Sequence, residues 1–391
     1  MNGIVVRAMG AAQLIMMSGA APVEAAGPAP VVEYAIDWPG KAAPRPGLGA
    51  HDAAIGDGGG TPRAGHAAMG STHEIAVDPG ARGGYWISGQ NYDQVVHVSQ
   101  TGRMRFYPTG QGSRPHGLAF DGKGQLWVTL EGLGRIARLD PDKGLRDSHS
   151  VTIACPNCAA PLNPHPHGLA LGRDGSLWFT GKATGTVGRL DPGGRVVHFQ
   201  LPTAGSTPIY AVAAPDGAMW VTELTGNMIA RLAPDGAIEE IAIPTPLSRP
   251  IAITPGPDGA MWFSEEAGGR IGRIDRAADG KWRVLELAVP AAQANLILAG
   301  LAFDRRGDLW VQQYVSNNVP EPQGTDWIVR IDRAGLEAWA RSGGASGAPL
   351  AFSYTPAPTR STVMHRITQG RDGAMWFTEM GADKVGRVAP E

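Results

Sequence analysis

Hydrophobic residues in this chain fall in runs of four to eight, rich in β-branched and aromatic side chains and closed by glycine-rich turns. No long stretch carries a helical period. The runs repeat as a unit whose clearest copy is Met364–Val388, MHRITQGRDGAMWFTEMGADKVGRV. Its grammar is a short apolar strand, an Asp-Gly turn, a Trp-centred strand, a small polar loop, and a strand ending in Arg and an apolar residue. Seven tryptophans mark seven copies: Trp86, Trp127, Trp178, Trp220, Trp262, Trp310 and Trp376, at spacings of 41 to 66 residues. A period near forty built from about four short strands is the signature of a β-propeller, and segments this short exclude a helical solenoid.

The spacing predicts an all-β fold, a seven-bladed β-propeller of four-stranded blades. Asp-Gly pairs at Asp174-Gly175, Asp216-Gly217, Asp258-Gly259 and Asp372-Gly373 supply the positive φ that a tight hairpin requires. An arginine recurs on the third strand (Arg138, Arg189, Arg231, Arg273, Arg330, Arg387) and is expected to face outward and pair with a neighbouring blade. The seventh unit ends at Glu391 without a fourth strand, whereas Val31–Pro39 matches the fourth-strand pattern and has no partners of its own. The N-terminal strand is therefore expected to complete the last blade and close the ring, removing both free edges. This gives one propeller over residues 31–391: a closure strand at 31–39, a Gly/Pro/Ala-rich loop at 40–70, and blades 1–7 over 71–391. Insertions at 141–166 and 314–361 depart from the repeat, the second with a short helical candidate at Arg333–Arg341.

Composition sharpens this picture at three points. A formal charge of -2 with no basic stripe gives no electrostatic case for nucleic acid. No stretch reaches the length of a spanning helix. Residues 1–26, with an early Arg7 and small residues at Ala25-Ala26, read as a secretory signal peptide, which predicts a secreted or periplasmic protein; otherwise it is cytoplasmic. A closed ring has no free edge, so a monomer is expected.

Candidate chemistry appears when the blades are aligned on tryptophan. Eleven positions before it, at the start of the innermost strand, stand His116, His167, Ile209, Ile251, Ala299 and His365, with His73 in blade 1 after a two-residue insertion. Histidine thus occupies blades 7, 1, 2 and 3, one arc of the central channel. Three positions after tryptophan stand Glu223, Glu265 and Glu379. Imidazoles and carboxylates converging on a narrow channel suit a divalent metal with a general base. His165 and His167 form an i, i+2 pair, expected on one side of an extended segment. With Cys155 and Cys158 they spell C-x2-C-x6-H-x-H, readable as a zinc site, a small disulfide, or free thiols.

The units PHGLAFDGKGQLWVT, GPDGAMWFSEEAGGRIGRI and GRDGAMWFTEMGADKVGRV resemble the streptogramin (virginiamycin B) lyase family over roughly residues 70–390. The resemblance implies a seven-bladed propeller and a carbon-oxygen lyase. Such an enzyme opens an ester linkage of a cyclic depsipeptide by β-elimination, with magnesium polarising the substrate and a histidine removing the α-proton. Carried over, His365 matches the base and Glu379 a magnesium ligand, while Val363 and Ala299 stand where the other two roles belong. A second register makes His116 the substrate contact and His167 the base, with His165 at the first ligand position and Gly181 at the second. The combined expectation assigns His365 and His167 to catalysis and His73 and His116 to substrate. Glu379, His165, Glu223 and Glu265 are assigned to the metal, which is magnesium by resemblance, although the histidine arc also admits a transition metal. The partner is a small-molecule or cyclic-peptide substrate. The alternatives are a lactonase (gluconolactonase-like) metal hydrolase, a four-histidine iron or copper site, and a non-catalytic periplasmic binding or scaffold propeller.

Overall fold

Each tryptophan-centred unit folds as one antiparallel sheet in the computed structural model, which describes residues 30–39, 70–316, 324–345 and 350–389. The seven sheets each have four strands, in sequential order within blades 1 to 6. The reading of 1–26 as a signal peptide and of 40–70 as a loop falls on residues that, Gly70 apart, lie outside the described part. Among the described residues no helix is long and apolar enough to cross a membrane.

The repeat is a physical device. In blade 5 the Trp262 indole N–H donates to Asp258 at 3.2 Å, Arg273 Nε donates to the other carboxylate oxygen at 2.8 Å, and the guanidinium carbon lies 5.8 Å from the indole centroid. The hairpin aspartate is thus shared by the tryptophan of the second strand and the arginine directly across from it on the third. The same set holds Trp376, Asp372 and Arg387. This corrects the expectation for the arginines: Arg189, Arg231, Arg273 and Arg387 form their ion pair with the hairpin aspartate of their own blade, although Arg231 also lies over Trp282 of the next blade. The turn glycines behave as the sequence requires, with Gly175 at φ 79° and Gly259 at φ 78°.

Blades are joined by the residue two places after tryptophan. Thr129 Oγ1 accepts from Gly117 N–H (2.7 Å) and donates to His167 O of the next blade (3.0 Å). Thr180 does the same between Gly168 and Ile209 O, and Thr378 between Arg366 and His73 O. Innermost strands therefore sit at fixed spacing around the channel. Gly117 and Gly168 let them crowd, since a Cβ at either would meet the next strand's carbonyl oxygen at 2.3 and 2.6 Å.

The N-terminal strand closes the ring. Val32–Ala35 pairs antiparallel with Lys384–Val388, giving blade 7 its outermost strand. Ile36 N–H then donates to Asp383 O at 2.8 Å, and Trp38 runs on to blade 1, where its indole fills the space over Gly89 and stacks on Tyr92 at 5.3 Å. Trp38 is 2% exposed and hydrogen-bonds Thr72 at 3.2 Å. Trp38→Ala removes a large buried side chain and a hydrogen bond at the seam, so it should cost about 3–5 kcal/mol. Urea unfolding of the variant checks this, and a change under about 1 kcal/mol would show that the seam contributes little to stability.

The insertions also take shape. Arg333–Arg341 is an α-helix, N-capped by Asp332, which accepts from Gly335 N–H at 2.8 Å, and its Leu336 and Trp339 pack into the core of blades 5 and 6. Cys155 and Cys158 are joined as a disulfide, which leaves no thiolate there for a metal.

Candidate active site at the channel mouth

Three layers of side chains line one end of the channel. The middle layer is the histidine arc, one residue from the start of each of four contiguous innermost strands: Met364–Gln369, Thr72–Val77, Pro115–Phe120 and Pro166–Leu171. Ring centroids lie 4.9 Å apart for His365 and His73, 4.9 Å for His73 and His116, and 3.6 Å for His116 and His167. All four imidazoles are pushed below the usual histidine range, first by burial and then by neighbouring positive groups, so the arc is uncharged near neutral pH.

One residue deeper, the repeat carries glycine in blades 2, 3 and 6 but Glu74, Tyr210 and Arg366 in blades 1, 4 and 7. Arg366 Nε lies 2.7 Å from Glu74 Oε1 as an ion pair, and its guanidinium carbon lies 4.2 Å from the Tyr210 ring on the opposite side of the propeller. These side chains span the axis and floor the site. Glu74 Oε1 also faces His365 Nε2 at 3.6 Å and His116 Nδ1 at 3.9 Å. Burial alone would raise the Glu74 pKa, but Arg366 and His365 outweigh it and hold the group ionised.

Nearer the mouth, the residue four places after tryptophan contributes Gln90, Glu131 and Lys182 in blades 1 to 3. Lys182 Nζ lies 2.6 Å from Glu131 Oε1, Gln90 donates to the other oxygen, and His165 Nδ1 stands at 3.7 Å. Burial opposes ionisation of Glu131, yet Lys182 and His165 carry it well below the usual carboxylate range. On the far side Glu266 is held by Arg249 at 2.7 Å and accepts from Tyr314 Oη at 3.1 Å.

His167 differs from the other three in having a defined tautomer. Its Nδ1 is 3.1 Å from the Ile209 carbonyl oxygen. Because that partner can only accept, Nδ1 carries the proton and Nε2 is left as the basic lone pair. His365, His73 and His116 instead gather together, offering one nitrogen each within 4.8 Å of one another, with Glu74 beside His365 and His116.

The structure separates the remaining predicted residues from this site. Glu223, Glu265 and Glu379 do not join the arc but turn back into their own blades, each beside a glutamate of the outermost strand: Glu240, Glu286 and Glu33. Register explains the pairing, because Glu223 lies across from Met228 and so from Ala242, two residues along from Glu240 on the same face. The threefold repetition marks blade construction. Burial, reinforced by the neighbouring glutamate, pushes Glu223 up to about 7 and both Glu265 and Glu379 up to about 8. A magnesium ion wants an octahedron of charged or polar oxygens. Burial holds the Glu379 pKa up, and Val363 stands at the other ligand position, so this place offers a magnesium ion a single carboxylate side chain of the two the resemblance implies. His165 adopts φ 52°, a left-handed turn that breaks the expected extended pairing with His167. A cleft of about 600 Å³ between blades 7 and 1, lined by Tyr34, Tyr85, Arg371 and Trp376, lies on the outer face and includes none of the histidines.

A seven-bladed propeller with a floored, histidine-lined channel mouth is the class that fold and site define. Residues 159–332 match the Virginiamycin B lyase family. A virginiamycin B lyase of Nocardia farcinica is 32% identical over 133 residues, 34% of this chain and 43% of the relative, so the alignment spans less than half of that protein. Among solved structures, a streptogramin B lyase superposes with a TM-score of 0.66 at 25% identity, covering 82% of this chain and 93% of its own. A catalytically inactive virginiamycin B lyase of Staphylococcus aureus with quinupristin gives 0.64 at 26% identity, covering 83% and 96%. The chain resembles the virginiamycin B lyase family in sequence over blades 3 to 6 and in fold around the whole ring.

Proposed function

We propose that this protein is a carbon-oxygen lyase that opens an ester linkage of a cyclic-depsipeptide-like substrate by β-elimination, with His167 as the base. The observation that carries the reading is the tautomer of His167: Nδ1–H bonded to Ile209 O, and Nε2 free at the mouth beside uncharged imidazoles. The relatives' activities support the reaction class. His167 Nε2 takes the α-proton, the C–H electron pair forms the Cα=Cβ double bond, and the Cβ–O bond breaks to release a carboxylate. No water enters. The imidazolium that forms keeps its bond to Ile209 O and gains the field of Glu131, whereas Lys182 opposes it and so speeds return of the proton to solvent. His116, its ring tilted against His167, and His73 line the substrate side. A divalent ion held by His73, His116 and His365 would polarise the ester's neighbouring carbonyl.

A lactonase-type hydrolase needs free oxygen donors to hold both ion and water. Here Glu74 and Glu131 are committed to Arg366 and Lys182, so the channel favours elimination. The Cys155–Cys158 disulfide suits an oxidising compartment, in keeping with a secreted or periplasmic site of action.

The test is to incubate the full chain with quinupristin in heavy-oxygen water and analyse the product by mass spectrometry. Elimination gives a linear, unsaturated product of unchanged mass and no label. Incorporated label would replace elimination by hydrolysis, and intact substrate would remove the depsipeptide assignment.

A further inference from the structure

We infer that His73, His116 and His365 form a binding site for a divalent transition-metal ion of the zinc or cobalt kind. This lies outside the segment that matches the Virginiamycin B lyase family, which begins at residue 159 and ends at 332. It also differs from the magnesium position that the resemblance implies at Glu379.

Geometry brings the three donors together. They come from three contiguous innermost strands, and one nitrogen of each lies within 4.8 Å of the others. A tetrahedral ion with bonds of about 2.1 Å wants its nitrogens roughly 3.4 Å apart, so small side-chain rotations close the set. The backbone beneath is fixed, since Thr378 holds the His73 carbonyl at 2.8 Å and blade 7 is tied to blade 1.

The donors are also unspent. His73 Nδ1, both nitrogens of His116 and His365 Nε2 are buried without a hydrogen-bond partner. His116 is 0% exposed. A buried polar atom left unmatched costs on the order of 1–3 kcal/mol. Four such atoms on three touching rings are costly to maintain without a ligand, and an ion offers each ring a partner that a neutral imidazole can satisfy without losing a proton.

The surroundings complete the arrangement. Ligating histidines commonly present their second nitrogen to a carboxylate, which fixes the ring and raises its basicity. Glu74 stands in this place for His116, 3.9 Å from its Nδ1 with Nε2 left to bind, and Arg366 forms an ion pair with Glu74 at 2.7 Å. Three nitrogen ligands leave an open coordination position, the mark of a catalytic rather than a structural site. Nitrogen donors select zinc, cobalt, iron or copper and discriminate against magnesium.

The experiment is to strip the full chain with a chelator and titrate it with cobalt(II) chloride and, separately, magnesium chloride. The expected result is one cobalt per chain, an intense visible spectrum of a low-coordinate nitrogen site, and a raised melting temperature, none of which magnesium reproduces. Glu74→Gln should weaken cobalt binding by about 10–100-fold, and His116→Ala and His73→Ala by more. His149→Ala, on an outer strand of blade 2, should bind as the unaltered chain does. Should His116→Ala fail to fold, His73→Ala and Glu74→Gln carry the test, with circular dichroism verifying their fold. Absence of the spectrum in the unaltered chain, binding unchanged in the histidine variants, or equal competition by magnesium would each overturn the site. Stoichiometric cobalt without elimination leaves the site standing and removes the lyase reading. Elimination that survives stripping, without a cobalt spectrum, does the reverse.

Discussion

His167→Ala is expected to lower kcat for elimination by about 10²–10⁴-fold, the contribution typical of a positioned general base. The loss should fall on kcat with KM changed little, because Nε2 acts on the proton in the transition state. Melting temperature should fall modestly, since the Nδ1 bond to Ile209 O is lost but the neighbouring strands stay joined through Thr180 at 3.0 Å. Cobalt binding should survive, because His167 is not among the three clustered donors. His365→Ala should behave differently, losing metal and activity together. Steady-state kinetics with paired metal titrations separate the two. An activity within about threefold of the unaltered chain in His167→Ala would remove His167 as the base and return the assignment to His365, the residue the family resemblance favours.

The fold could be read from the sequence because one tryptophan per blade sets the register of everything around it. Closure by Val32–Ala35 followed from counting strands, and the helix Arg333–Arg341 from its local pattern. The histidine arc was visible in the same alignment. Its floor was not, although the signal existed: Glu74, Tyr210 and Arg366 are the bulky polar departures at a position that is glycine in blades 2, 3 and 6. Glu131 and Lys182 were passed over because they vary from blade to blade, as the residues of a site built on a repeat must. Glu223, Glu265 and Glu379 misled for the opposite reason. They recur, and the two-residue period of a strand turns the third residue after tryptophan away from the next blade when the second residue faces it. The arginines pair within their own blade because strand register sets each across from its tryptophan, information that a repeat alone does not hold.

Those three glutamates give the largest expected effect on stability. Each shares a sheet face with an outermost-strand glutamate that is itself capped by a threonine arriving from the previous blade. Thr203 donates to Glu240 at 2.8 and 2.7 Å, Thr245 to Glu286 at 2.8 Å, and Thr359 to Glu33 at 2.7 and 2.6 Å. The third set includes the closure strand. Burial holds Glu223 at about 7, and Glu265 and Glu379 at about 8, against about 4.5 when unfolded, so between those values the folded chain binds more protons than the unfolded chain. Unfolding free energy must then fall as pH rises from about 4.5 through 8, and these groups contribute no slope below that window. Glutamine reproduces the protonated acid and cannot ionise. The triple variant Glu223→Gln/Glu265→Gln/Glu379→Gln should therefore match the unaltered chain near about pH 3.5 and exceed it above about pH 8, by on the order of 3–5 kcal/mol per fully titrated site. Urea unfolding at a series of pH values decides it. Curves that run parallel would show that the three carboxyls ionise alike in both states, and the outer strands would then owe their pH dependence to other groups.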